Sequence, residues 1–209
     1  MKFDEEFKVA ITDLPEKEKD KLLFRLLKKD LRLVNRLYFE LLDLRTADER
    51  RLELEQKVCE SVDWMSERFY SPGYLQMDMR SLSGTITEHV QITKDKFGEA
   101  SLNLLMLNRV LRKNNSRISN ASSTKAQKLC VYIVVKTFKI LLSINKLHED
   151  CLLDFQDGLE TLAKNYSANQ FLPKVAIKNG LDLTWLASAN IPKNIIQIHS
   201  DLRKQGLLK

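Results

Sequence analysis

A spacing of lysines decides what this chain can form. Wound at about 100° per residue, Lys125, Lys128, Lys136, Lys139 and Lys146 share an arc of about 80°. Val131, Val134, Val135, Phe138, Leu141, Leu142 and Ile144 take the rest of the circumference. The β-branched run "LCVYIVV" could be a strand when read alone, but its flanking lysines make 123–148 a helix buried on most sides with one lysine strip outward. No other stretch alternates with a period of two. Six glycines and four prolines in 209 residues also leave few breaks, so the spacing predicts an all-α chain.

The breaks sit where helices start and stop. Pro15, Pro72 and Pro192 follow Asp13, Ser71 and Asn190, which are good amino-terminal caps. Thr46 and Glu49 have the spacing of a capping box, and Gly180 and Gly206 come after helical patterns. The chain then reads as about eight to ten helices, some adjacent segments being one bent helix: 2–12, 15–29, 31–43, 47–70, 73–95, 98–114, 123–148, 150–165, 172–179, 183–189 and 192–205. At 209 residues it is long enough for a real core, and 1–209 is read as a single all-helical domain. Short, tightly joined helices suit an α-hairpin stack of the HEAT or armadillo kind, while the lack of a fixed repeat suits an irregular helical bundle equally well. The polar run "NNSRISNASST", 114–124, reads as a flexible connection.

Leucine and cation mix most densely in "KLLFRLLKKDLRLVNRLYFELLDL", 21–44. Its apolar residues cover more than one face, and Asp30 can cap a second helix there. The stretch therefore reads as core, not as a membrane-surface helix, which would keep one clean apolar face. No segment has the roughly 18 to 20 consecutive apolar residues of a membrane span. The amino terminus lacks the apolar region of a signal peptide, and Cys59, Cys130 and Cys151 are odd in number and far apart. Three reduced thiols in a cytoplasmic protein are the expectation.

Charge is unevenly spread. The net charge is +6, and between Glu99 and Glu149 there is no acid at all, leaving the remainder of the chain mildly acidic. Arg109, Arg112, Lys113, Lys125, Lys128, Lys136, Lys139 and Lys146 form a candidate polyanion-binding set, able to follow phosphates without reading bases. The plainer reading of such a strip is the wet face of a central helix. Tyr132 and Phe138 are too few for a base-stacking platform.

Two acid pairs, "ELLD" (Glu40, Asp43) and "ESVD" (Glu60, Asp63), could hold Mg²⁺ if their helices faced one another. They resemble the ExxE…ExxD motif of the all-α nucleoside triphosphate pyrophosphatases, the dimeric dUTPases included. That resemblance implies magnesium held against a triphosphate. It covers about 24 residues and departs from the pattern at Asp43, where the family has Glu. "DFQD" (Asp154, Asp157) shows how readily such pairs arise. His148 and Cys151 offer two zinc ligands with no second pair to complete the site. Neither a nucleophile motif nor a glycine-rich phosphate loop is present. Trp64, Met65, Phe69, Tyr70, Tyr74, Met77 and Met79 crowd a corner marked by Pro72 and Gly73, and read as core packing where two helices fold together, with a self-association surface as the alternative.

The chain as a whole, and in particular "KLLFRLLKKD" and "FYSPGYLQMDMRSLSGTITEHVQITKDKFGEASLNLLMLN", resembles a family of all-helical bacterial proteins of the Bacteroidetes type. That resemblance implies a cytosolic bacterial origin and brings no activity, ligand or catalytic residue with it. The reading from residues is a non-enzymatic helical interaction or scaffold protein that binds a macromolecular partner, protein or nucleic-acid backbone, without a cofactor. The alternative is a magnesium-dependent pyrophosphatase using Glu40, Asp43, Glu60 and Asp63.

Overall fold

The computed structural model describes residues 3–208. The chain is all-α: among the described residues there are eleven α-helices, one 3-10 segment and no strand. In order these are α1 (Glu5–Thr12), α2 (Glu16–Leu27), α3 (Leu31–Leu42), α4 (Ala47–Glu67), α5 (Pro72–Thr93), α6 (Lys96–Ser119), α7 (Ser123–Ile144), the 3-10 segment Glu149–Phe155, α8 (Gln156–Ser167), α9 (Leu172–Lys178), α10 (Thr184–Ala187) and α11 (Ile195–Lys204). The first expected helix begins at Lys2, which lies outside the described residues.

Local chemistry sets these boundaries. Asp30 opens α3 by accepting hydrogen bonds from the backbone N–H groups of Arg32 and Leu33 at 3.0 and 3.1 Å. Thr46 and Glu49 close a full capping box on α4, Glu49 N–H donating to Thr46 Oγ1 at 3.2 Å and Thr46 N–H donating to Glu49 Oε2 at 2.7 Å. Ser71 caps α5, with Pro72 in its first turn. Helix α9 ends in a left-handed glycine, Gly180 at φ 74°, and the Gly180 and Leu181 N–H groups return to the carbonyls of Ile177 and Ala176 at 3.0 and 2.9 Å. Gly206, at φ 82°, ends α11 in the same way.

The chain, read from sequence as one domain, divides into two compact units. One runs up to Leu44 and takes in Gln91–Thr93; the other holds Arg45–Val90 and the chain from Lys94 onward. The second unit is a helical bundle with a continuous core. Helix α6 lies at its centre against α4, α7 and α8, and α7 also meets α9 and α11. Leu102, Met106, Leu107, Val110 and Leu111 of α6 are fully buried beside Leu129, Ile133, Val134 and Phe138 of α7. The three cysteines are free thiols.

The polar run 114–124 departs from the flexible connection expected of it. Helix α6 continues to Ser119, and only a short turn separates it from α7. Its asparagines are committed to neighbours. Asn114 Nδ2 donates to Ser66 Oγ at 2.8 Å, Asn115 Nδ2 donates to the Asn165 carbonyl at 2.8 Å, and Asn169 Nδ2 donates to Asn115 Oδ1 at 3.0 Å. Two turns before Asn115, Asn108 donates to the Gly158 carbonyl at 2.8 Å and Asn165 donates to Asn108 Oδ1 at 3.0 Å. The composition of a loop thus serves as a hydrogen-bonded ladder between α6 and α8.

The leucine-rich stretch 21–44 is a correction of a different kind. It was read as core, yet no residue of α1, α2 or α3 is buried.

Candidate interaction surface

Three of the eight candidate polyanion contacts are engaged inside the bundle unit. Arg109 on α6 grips Asp63 on α4 with two bonds, Nε to Oδ1 at 2.8 Å and Nη2 to Oδ2 at 2.7 Å, and Lys113 one turn on adds a third at 2.9 Å. The hydrogen bonds from Arg109 and then Lys113 hold the Asp63 carboxyl well below the usual carboxylate range. Lys136 is buried and does not face outward with the rest of its strip. Its ammonium donates to Ser83 on α5 and, at 3.0 Å, to Asn103 Oδ1 on α6. Burial lowers its pKa from 10.5 to about 8, helped by the nearby Lys139 and opposed by Glu99. Arg112, Lys125, Lys128, Lys139 and Lys146 stay exposed.

The four acids of the pyrophosphatase alternative are divided between the two units. Glu40 accepts a hydrogen bond from Arg36 Nε at 2.6 Å, and Asp43 is the residue that ends α3. Glu60 accepts from Gln56 at 2.8 Å, and Asp63 uses both oxygens on cations. Among the described residues, no group of three or more His, Cys, Asp or Glu side chains is placed to hold a metal ion. Helix length and hydropathy were equally plain: no helix among the described residues is long and apolar enough to cross a membrane.

Two surfaces that sequence reasoning placed in the core are open. The first is the amino-terminal unit. Thirteen large apolar residues up to Leu44 are exposed, among them Phe24 at 62 %, Leu31 at 73 % and Leu41 at 75 %. The second is the outer side of the α4–α5 hairpin in the bundle unit. Met65 and Met79 point inward as expected, but Trp64, Tyr70, Tyr74 and Met77 are all more than half exposed. Pro72 and Ser71 set the corner, and the aromatics then pair locally along each helix instead of folding under it. Arg68 lies over the Trp64 ring at 4.5 Å, and Tyr70 meets Tyr74 edge-on at 5.1 Å.

Beside these aromatics runs an open groove of about 450 Å³ between α4 and α5. Met65 and Leu82 give it apolar lining, Trp64 adds the indole, and its only charges are the carboxylates of Glu60 and Asp78. At the far end of the hairpin, Asp95 locks the next helix in place. Arg51 donates to it at 2.9 and 3.0 Å, the Gly98 N–H at 2.7 Å, and His89 Nε2 lies 3.3 Å away. Burial pushes the Asp95 carboxyl up, but the bonds from His89, Gly98 and Arg51 together outweigh it and lower its pKa. These contacts tie the far end of the α4–α5 pair to the start of α6.

No protein-family profile, curated protein or solved structure matches this chain.

Proposed function

We propose that this chain is a helical interaction protein whose amino-terminal unit is covered by a protein partner. One observation supports the reading above all others: the most leucine-rich part of the sequence, 21–44, forms the second half of α2 and all of α3 without a single buried residue. Ordering a backbone costs about 1–2 kcal/mol per residue, and burying one large apolar side chain returns about 1.5–3 kcal/mol. No side chain of this unit is buried, and Leu22, Leu27, Val34, Leu37 and Phe39 are only half-buried, so they return only part of the second figure. Its stability comes from whatever covers it. Monomeric proteins rarely leave large contiguous apolar surface in water, and short helices with mixed leucine and aromatic faces are common partner-binding elements.

The surface in question mixes cations with exposed leucine and aromatic side chains, and its apolar share favours a protein over a polyanion. The polyanion version retains Arg112, Lys125, Lys128, Lys139 and Lys146, with Arg109, Lys113 and Lys136 engaged elsewhere. A photo-crosslinking residue placed singly at Leu31, Leu41 and, as a polar-surface control, Lys139 tests the reading in cells of the source organism. Discrete adducts form at Leu31 and Leu41 and not at Lys139. Equal or absent crosslinking at all three positions overturns the proposal.

A further inference from the structure

The geometry points to a second copy of this chain as the occupant of the α4–α5 groove, with helix α2 of one molecule lying between α4 and α5 of another. This rests on the reading above and names the partner. Each molecule displays both halves of a complementary contact. Helix α2 carries its three acids, Glu16, Glu18 and Asp20, at its start, and from Lys21 to Lys29 there are four cations and no acid, interleaved with exposed Leu23, Phe24 and Leu26. Helix α4 carries seven acids against three cations. The only charged side chains lining the groove are acids, although the protein as a whole is positive. The Asp78 side chain makes no hydrogen bond or ion pair among the described residues, and neither do the side chains of Arg25 and Lys28, so none of the three gives up a side-chain partner on docking.

The dimensions agree. A helix of 12 residues is about 18 Å long and the two helices that form the groove are each about 30 Å. Phe24 supplies the apolar plug for the lining made by Trp64, Met65 and Leu82. Arg25, near the end of α2, and its C-cap Lys28 lie on the same side of Phe24, about 100° and about 40° round the helix, and place two cations over a groove whose charged lining is Glu60 and Asp78. Opposite signs across an interface steer encounter and fix register, while the apolar centre holds the complex. The contact joins different surfaces of the two molecules, so its repetition closes into a ring or extends as a chain.

Sedimentation equilibrium on the full chain tests this, with two double variants on exposed or half-buried positions, Glu60→Lys with Asp78→Lys and Arg25→Glu with Lys28→Glu. Circular dichroism confirms that each is folded. The wild type has a mass above that of the 24.3 kDa chain at high micromolar concentration. Each double reversal weakens association at least about tenfold, and an equimolar mixture of the two variants associates again, because the signs are complementary once more. A wild type that stays monomeric, reversals that leave the mass unchanged, or a mixture that fails to associate each overturn the copy-to-copy contact. A monomeric wild type that still forms adducts at Leu31 and Leu41 leaves the interaction reading standing with a different protein as partner. Loss of those adducts removes both.

Discussion

Replacing Lys136 with methionine removes a charge from the heart of the bundle while keeping an unbranched side chain one atom shorter. In the native structure burial lowers the Lys136 pKa from 10.5 to about 8. At about 1.4 kcal/mol per pH unit, that difference is a penalty of roughly 3 kcal/mol on the protonated native state. The sign follows from proton counts. Between about pH 8 and pH 10.5 the unfolded chain keeps the Lys136 proton and the native chain has given it up, so stability rises with pH through that window. At pH 7 the methionine variant escapes the penalty but leaves Ser83 and Asn103 without their donor, at about 1–3 kcal/mol for each unsatisfied group. The two effects nearly cancel there, and the net change is small. At pH 10 the wild type has recovered most of its roughly 3 kcal/mol and the variant has gained nothing from this source. Burial also raises the pKa of Cys130, to about 12, and of Tyr166, so both oppose unfolding less at high pH. They are common to both proteins and drop out of the difference. Urea unfolding at pH 7 and pH 10, followed by far-ultraviolet circular dichroism, reads it directly. The wild type gains on the variant by about 1 M or more in midpoint over that range, given a slope of about 2 kcal/mol per molar. Midpoints that change in parallel would refute a buried, proton-shedding Lys136.

Other substitutions probe the frame and the surfaces. Gly180→Ala forces a left-handed φ of 74° on a side chain whose Cβ would lie 2.4 Å from Leu202 Cδ2, and lowers Tm by roughly 5–10 °C in calorimetry. Gly84→Ala, in the exposed interior of α5 with nothing within 4 Å of the new Cβ, raises stability by about 0.5–1 kcal/mol in the same experiment. Asp63→Asn flattens acid unfolding: the wild-type carboxylate is held low by Arg109 and Lys113, so its contribution is present above about pH 4 and lost as pH falls toward the native pKa, and the variant lacks that loss. Lys125→Glu with Lys128→Glu and Lys139→Glu leaves crosslinking at Leu31 unchanged, because the strip takes no part in covering α1–α3.

Helices were legible in the sequence because their signals are local. Asp30, the Thr46–Glu49 pair, Ser71, Gly180 and Gly206 each act within four residues of themselves, and each is where a boundary falls. Exposure was not legible, because it depends on what arrives from elsewhere. Lys136 shares an arc with four other lysines, yet Ser83 and Asn103, 53 and 33 residues away, close over it. Asn115 reads as part of a linker until Asn165 of α8 and Asn169 just beyond it come beside it. Arg109 and Lys113 read as free cations until α4 presents Asp63. For 21–44 the sequence marks two helices meeting at Asp30, and two helices form there. It carries no mark of whether their cover belongs to the same chain. The proline-glycine corner at 72 and 73 likewise predicts a hairpin but not the side to which Trp64, Tyr70 and Tyr74 turn.

The central claim is that α1–α3 have no core of their own and depend on cover. Backbone hydrogen exchange, read by mass spectrometry on peptides from 16–27 and 31–42 against peptides from α6 and α7, tests it in the dilute purified chain. Amides of α2 and α3 exchange with protection near that of an open segment, while those of α6 and α7 approach the protection of global unfolding, and raising the protein concentration slows exchange in α2 and not in α6 and α7. Protection of α2 and α3 equal to that of α6 and α7 in the dilute chain would contradict the account.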